Sequence, residues 1–273
     1  MYMLIHCGCT RRDYSALREN MNCLLLFTLL WASILGDVWT APGNRVEVDP
    51  ELTGGYFEGD MMLSPLARNG LRSETYHWPN GIVSYYINSN IDQAHRDHIQ
   101  LGMRIIELKS CLTFKEVSKD QSEYVNITAE SGGCYTAVGY QRKVQQLNLQ
   151  TYDLDEGCYR LGTIMHEILH AVGFFHQQST WNRDDFVHIA TENIADGKEH
   201  NFEKYSENLV ENFDQTYDYG SVMHYTPYGF SKNGEMTIVP LEEGAEKVMG
   251  QRVQMSQIDI DKLNIMYKCP KQI

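Results

Sequence analysis

Positive charge is scarce in this 273-residue chain: 23 lysines and arginines face 36 aspartates and glutamates, a net charge of −13. That balance argues against nucleic acid and against an anionic membrane surface as partners, since both select Lys/Arg-rich faces. Long apolar runs are missing too. The most hydrophobic stretch lies between Met21 and Gly36, and its core, Cys23 to Leu35, is about a dozen residues, short of the ~20 that a membrane-spanning helix needs. No membrane anchor is expected. There is no internal repeat and no low-complexity tract, which excludes solenoids and fibrous folds.

What the chain does have near its start is a leader. Arg11, Arg12 and Arg18 precede the short apolar core, and Ser33, Gly36 and Ala41 offer small residues for cleavage. Residues 1–36 read as a secretory signal region, with Met21 as a second possible initiator. Secretion to the extracellular space is the expected localisation. Of seven cysteines, Cys7, Cys9 and Cys23 fall in the leader, leaving Cys111, Cys134, Cys158 and Cys269. An even set in an exported chain suggests two disulfides, for which three pairings are open. Asn126-Ile127-Thr128 is the one N-glycosylation sequon.

From Pro42 to about Arg68 the sequence shows neither a helical nor a strand period. Trp78-Pro79-Asn80-Gly81 is a turn signal, followed by a strand-like Gly81–Asn88. Ile91 to Lys109 places Ala94, His98, Leu101, Ile105 and Leu108 at three- and four-residue steps, an amphipathic helix with His98 packed in the core. Leu112–Val117, Tyr124–Ala129 and Val144–Leu149 read as strands. A second helix spans about Leu161–Phe174, and a closing helix, Ser256–Tyr267, carries Ile260, Leu263 and Met266 on one face. The fold class expected is α+β. A mixed sheet with helices fills the first half, the second half is irregular, and a cleft separates them.

The second helix carries HEILHAVGFFH, His166 to His176. His166 and His170 stand four apart, one turn above each other on one helix face, so both imidazoles can meet one ion. Gly173 can adopt a left-handed conformation that turns the chain back and brings in His176. Three neutral nitrogens leave a coordination position open for water, as catalytic rather than structural zinc requires. Zinc polarises a carbonyl and acidifies water, and Glu167 is placed to accept the proton and return it to a leaving amine.

HExxHxxGxxH followed by Ser221-Val222-Met223-His224-Tyr225, with Met223 standing 47 residues after His176, resembles the metzincin signature. SVMHY, GFFH and Asn182–Val187 (NRDDFV) resemble the astacin family in particular, as do Trp78–Ile87 (WPNGIVSYYI) and Ser256–Cys269 (SQIDIDKLNIMYKC). The resemblance covers roughly 200 residues. It implies a secreted zinc endopeptidase acting on protein or peptide substrates, with a zincin-like catalytic domain over residues 69–273. His166, His170 and His176 would hold one zinc ion. Tyr225 would be a further ligand at rest and would hydrogen-bond the oxyanion during turnover, with Met223 packed beneath the metal. The family's pairing gives Cys111–Cys269 and Cys134–Cys158. Residues 37–68 would form a propeptide. There Phe57-Glu58-Gly59-Asp60 resembles the family's FxGD latency motif, with Asp60 on the zinc, and an activating protease would cut at Arg68-Asn69. The chain ends four residues after Cys269, so no further recognition module is expected, and a monomer is the default.

One position departs from the pattern. Astacins usually carry glutamate after the third histidine, where it meets the freed N-terminal ammonium; here it is Gln177. Thr180, Trp181 and Asn182 likewise replace residues that are commonly Arg, Pro and Asp. Activity is expected to persist with the new N-terminus held more loosely. A catalytically weak or inactive peptide-binding relative is the competing reading, against which intact Glu167 and Tyr225 weigh.

Overall fold

A computed structural model describes residues 49–63, 74–207 and 210–270. The leader, Met21 and the Arg68-Asn69 bond lie outside them.

Eight strands are present among the described residues. β1 (Met61–Met62), β2 (Ile82–Ile87), β3 (Thr113–Glu116), β4 (Tyr124–Thr128), β5 (Cys134–Ala137) and β6 (Val144–Leu149) form one sheet in the order β1-β5-β6-β4-β2-β3. Its ladders are parallel except for β5 against β6. β7 (Val187–Ile189) and β8 (Ile238–Pro240) make a separate antiparallel ribbon. The period of two is plain in the sheet's inner strands: Val83, Tyr85 and Ile87 of β2, Val125 and Ile127 of β4, and Leu147 and Leu149 of β6 are buried in one core.

That core is covered by α1 (Gln93–Lys109) and α2 (Leu161–Ala171). Asp92 caps α1 by accepting from the His95 amide at 3.1 Å. The buried face of α1 is Ile99, Gly102, Met103 and Ile106, not the stripe read from the sequence. Leu101 and Leu108 of that stripe are exposed. His98 is not a core residue either: it lies at the edge of the helix, Nε2 3.3 Å from Asp155 Oδ1. α2 is buried on every side from Gly162 to Ala171, its polar Thr163, His166, Glu167 and His170 included.

α2 stops three residues earlier than the sequence suggests. The Phe174 amide bonds Leu169 O and the Gly173 amide bonds His170 O, both at 2.9 Å, which satisfies the last carbonyls in a Schellman turn with Gly173 at φ +118°. Further carbonyls are taken by side chains: Trp78 Nε1 donates to Ala171 O at 2.9 Å and Tyr267 Oη to Val172 O at 2.8 Å.

The second half is built from short 3-10 turns around the β7–β8 ribbon and closes with α3 (Gln257–Met266). Ser256 and Asp259 form a reciprocal capping box at its start. Leu263 is fully buried, with Ile260 and Met266 packed against the same core. Two disulfides tie the elements together: Cys111–Cys269 joins the start of β3 to the end of α3, and Cys134–Cys158 joins β5 to the turn before α2.

The segment before the domain is not periodic, yet it is structured where it touches the rest. Pro50–Leu52 forms a 3-10 turn, and β1 lies parallel on the edge of β5, pairing Met61 with Thr136 and Met62 with Ala137. Asn126 sits within β4, half-buried, in register with Tyr86 of β2 on one side and Gln146 of β6 on the other.

Candidate metal centre and active site

α2 and the turn after it deliver the three histidines. His166 Nδ1 lies 2.8 Å from Val222 O, and His170 Nδ1 lies 2.8 Å from Phe174 O. A carbonyl can only accept, so both Nδ1 atoms carry the proton and both Nε2 atoms present lone pairs. The three Nε2 atoms converge, at 3.0 Å for His166–His170, 3.3 Å for His170–His176 and 3.4 Å for His166–His176.

Asp60 enters this cluster from the N-terminal segment. Its Oδ2 is 3.2 Å from His166 Nε2 and 3.3 Å from His176 Nε2, and its Oδ1 is 3.7 Å from His170 Nε2. The four buried side chains offer ligand atoms that all lie within 4.8 Å of one another. The rings differ in their affinity for protons. Burial lowers His176, but Asp60 and Glu58 outweigh it and carry the ring up to about 9. Burial and His166 push His170 down to about 4. Asp60, despite burial, is held well below the usual carboxylate range by His176 and His170.

Glu167 completes the set. It is fully buried, and neither carboxylate oxygen has a hydrogen-bond partner. Burial, then Asp60 and Glu51, pushes its pKa well up. An orphaned carboxylate beside converging imidazole lone pairs fits a divalent cation and its water, and the nitrogen-rich donor set fits zinc.

A turn between Ser221 and Tyr225 supports the cluster from below. Asp259 of α3 accepts from the Val222 amide at 2.9 Å and from Ser221 Oγ at 2.5 Å. Met223 is buried, and its carbonyl accepts from the Gln177 amide at 2.9 Å. The Tyr225 amide donates to Gln178 Oε1 at 3.0 Å, and the Tyr225 hydroxyl donates to Glu58 O rather than standing free. His224 is pinned by Tyr217 Oη and by Tyr225 O, each at 2.7 Å.

Three carboxylates of the N-terminal segment therefore reach the cleft, where the sequence singles out only Asp60. Glu58 Oε2 lies 2.7 Å from His176 Nδ1, and its Oε1 accepts from Ser179 Oγ at 2.8 Å. Gly59 makes this turn possible: its φ is +92°, and a Cβ there would sit 2.6 Å from Glu51 O. Glu51 is 1% exposed and takes two 2.8 Å bonds from Arg252 Nε and one of 2.7 Å from Thr163 Oγ1. Glu51 and Arg252 are 201 residues apart, with no local signal to link them. Glu58 lies inside the FEGD motif, and its enclosure by polar partners is a tertiary fact. Gln177 has a partner the sequence does not suggest. Its Oε1 accepts from Lys262 Nζ at 2.7 Å, so the acceptor that the resemblance reserves for a new N-terminus is already engaged.

Comparison with known proteins agrees with this geometry. Residues 70–268 match the peptidase family model described as Astacin. The chain is 45% identical over 230 residues to Seminal metalloprotease 1 of Drosophila melanogaster, covering 82% of this chain and 91% of that protein. It is 39% identical over 241 residues to Zinc metalloproteinase nas-4 of Caenorhabditis elegans, covering 84% and 73% respectively. Among solved structures, the hatching enzyme zinc-protease High choriolytic enzyme 1 of Oryzias latipes superimposes with a TM-score of 0.65 at 31% identity, over 72% of this chain and 97% of that one. With a zinc-competent histidine cluster inside the matched region, the chain belongs to the astacin family and is a zinc metalloendopeptidase.

Proposed function

We propose that the protein is made as an exported, latent precursor, and that it cuts peptide bonds in extracellular proteins, as a monomer, once residues 37–68 have been severed at Arg68-Asn69 by an activating protease. The observation that carries this reading is Asp60, whose carboxylate lies among the three Nε2 atoms. Glu58, within the motif, and Glu51, ahead of it, fasten the same segment. The two disulfides support an oxidising compartment. Among the described residues no helix is long and apolar enough to cross a membrane. Asn126 is the proposed glycan site.

In this reading His166, His170 and His176 hold the ion, and Asp60 occupies the position that substrate and water need. A zinc ion held by these histidines would supply Lewis acidity towards a water and a carbonyl. Glu167, desolvated and without a competing partner, takes the water's proton and delivers it to the leaving amine. Release of the segment frees the Tyr225 hydroxyl from Glu58 O, so that it can donate to the developing oxyanion. Met223 and Asp259 keep the turn under the cluster from shifting.

The test is cleavage of a denatured protein substrate by the full chain before and after limited trypsin treatment, with Glu167→Ala as control. Activity that appears only after trypsin and is absent from the control supports the reading. Equal cleavage by untreated and treated chain removes latency, and equal cleavage by the control removes Glu167 as the base.

A further inference from the structure

The segment that reaches the histidines also seats apolar side chains beside them. Met61, the residue after Asp60, is fully buried in a small cluster with Val138, Phe175 and Tyr205, separate from the main core. Phe57 and Leu63 of the same segment pack against that cluster. The walls are fixed from the domain side. Phe175 and Tyr205 meet edge to face with centroids 4.8 Å apart, and the Tyr205 amide bonds Ser179 O at 2.7 Å. The Tyr205 hydroxyl is enclosed and has no hydrogen-bond partner. A cavity of about 580 Å³ adjoins the cluster, bounded by Met61, Phe175 and Tyr205 and rimmed by Glu203 and Lys204.

The backbone of the segment here is a strand. Thr136 N donates to Asp60 O at 2.9 Å, and Met61 pairs with Thr136 on the edge of β5. An extended peptide laid on that edge in the direction and register of β1, with one residue at the metal, puts its next side chain where Met61 now lies, since side-chain positions recur with the strand repeat. Without the segment, Val138, Phe175 and Tyr205 lose an apolar cover. We infer that these three residues form a substrate subsite for a bulky apolar side chain, of the methionine, leucine or phenylalanine class, within two residues of the scissile bond. This inference rests on the peptidase reading above and adds the substrate class. Charged side chains are disfavoured at the Met61 position because the domain side chains clustered there, Val138, Phe175 and Tyr205, offer one polar atom, the Tyr205 hydroxyl. Full burial of an apolar side chain corresponds to about tenfold or more in affinity.

Two measurements on the full chain separate the subsite from the activity. In the first, hydrogen exchange is followed over residues 56–63 of the uncut chain. Met61→Leu should leave exchange within about twofold of the parent, and Met61→Asp should raise it about tenfold or more. In the second, the trypsin-nicked full chain is profiled on a peptide library. One position flanking the scissile bond should favour Met, Leu or Phe over Asp by about tenfold. Tyr205→Ala should abolish that preference and Tyr205→Phe should restore it. Unchanged exchange in Met61→Asp overturns the apolar seat. A cleaving enzyme with no apolar preference, or one whose preference survives in a folded Tyr205→Ala protein, overturns the subsite. A chain that passes the exchange measurement but cleaves nothing keeps the seat and sinks the peptidase reading instead.

Discussion

Lys262 and Gln177, 85 positions apart, meet in the interior through a 2.7 Å bond from Nζ to Oε1. The ammonium is buried and its pKa is lowered by that burial, with Asp259 and Asp218 opposing. A neutral amide is thus the direct acceptor of a desolvated cation. Through the Gln177 amide the contact continues to Met223 O, so α3 braces both the third histidine and the turn below it. Replacing Lys262 with methionine leaves Gln177 Oε1 unsatisfied and should cost about 1–3 kcal/mol. Urea unfolding checks this. Gln177→Glu, by pairing the ammonium with a carboxylate, should raise the unfolding midpoint relative to the parent.

Glu167 is the side chain whose loss should affect chemistry without affecting the fold. It makes no hydrogen bond, so Glu167→Gln removes a base and no structural bond. The rate of peptide cleavage by the activated chain should fall by about 10²–10⁴, while bound zinc, measured by elemental analysis, stays near one per chain.

Asp60→Asn keeps the shape of the segment and removes the charge at the metal. The uncut chain carrying it should show measurable peptidase activity where the parent shows none. A fluorogenic peptide assay, with trypsin omitted, decides the matter. Adding a strong chelator to the activated parent should abolish cleavage, and added zinc should restore it.

Glu51 fastens the segment at a second point, and its contribution depends on pH. Burial opposes its ionisation, but Arg252 and His166 hold its pKa below the ordinary 4.5. A carboxylate whose folded value is depressed stabilises fully above its unfolded value and loses that stabilisation as pH falls through the folded one. Docking of the segment should therefore be firm at neutral pH and loosen progressively below about 4.5. Glu51→Gln strands the Arg252 charge and should cost about 3–5 kcal/mol at pH 7. Hydrogen exchange over residues 49–63 as a function of pH reads both effects.

The Cys134–Cys158 bridge closes a loop of 24 residues' separation next to α2. Chain-entropy arguments put its contribution at about 3.5 kcal/mol. Thermal unfolding of the double substitution Cys134→Ala, Cys158→Ala should show a loss of that order.

The histidine cluster is legible in the sequence because its geometry is local: two ligands one helical turn apart and a glycine that reverses the chain. β2, β3, β4 and β6 are legible from partial alternation and β-branched or aromatic content, whereas the two-residue β1 is too short to show a period. β5 is not, since Cys134-Tyr135-Thr136-Ala137 is buried at every position and lacks the period of two. The buried face of α1 escapes a sequence reading for a different reason. Apolar residues fall on more than one side of that helix, and one of its buried positions is Gly102, which lies against Ile164 of α2 and carries no hydropathic signal. The Glu51–Arg252 and Lys262–Gln177 contacts join distant parts of the chain, and nothing in either local sequence announces a partner.

β1 also has a consequence for handling. A protein without that strand presents the amides and carbonyls of β5 as an open template, to which any extended chain can add. The same ladder that welcomes a substrate invites a stray neighbour, so concentrated stocks should keep best with the segment in place and clump soonest after it is trimmed.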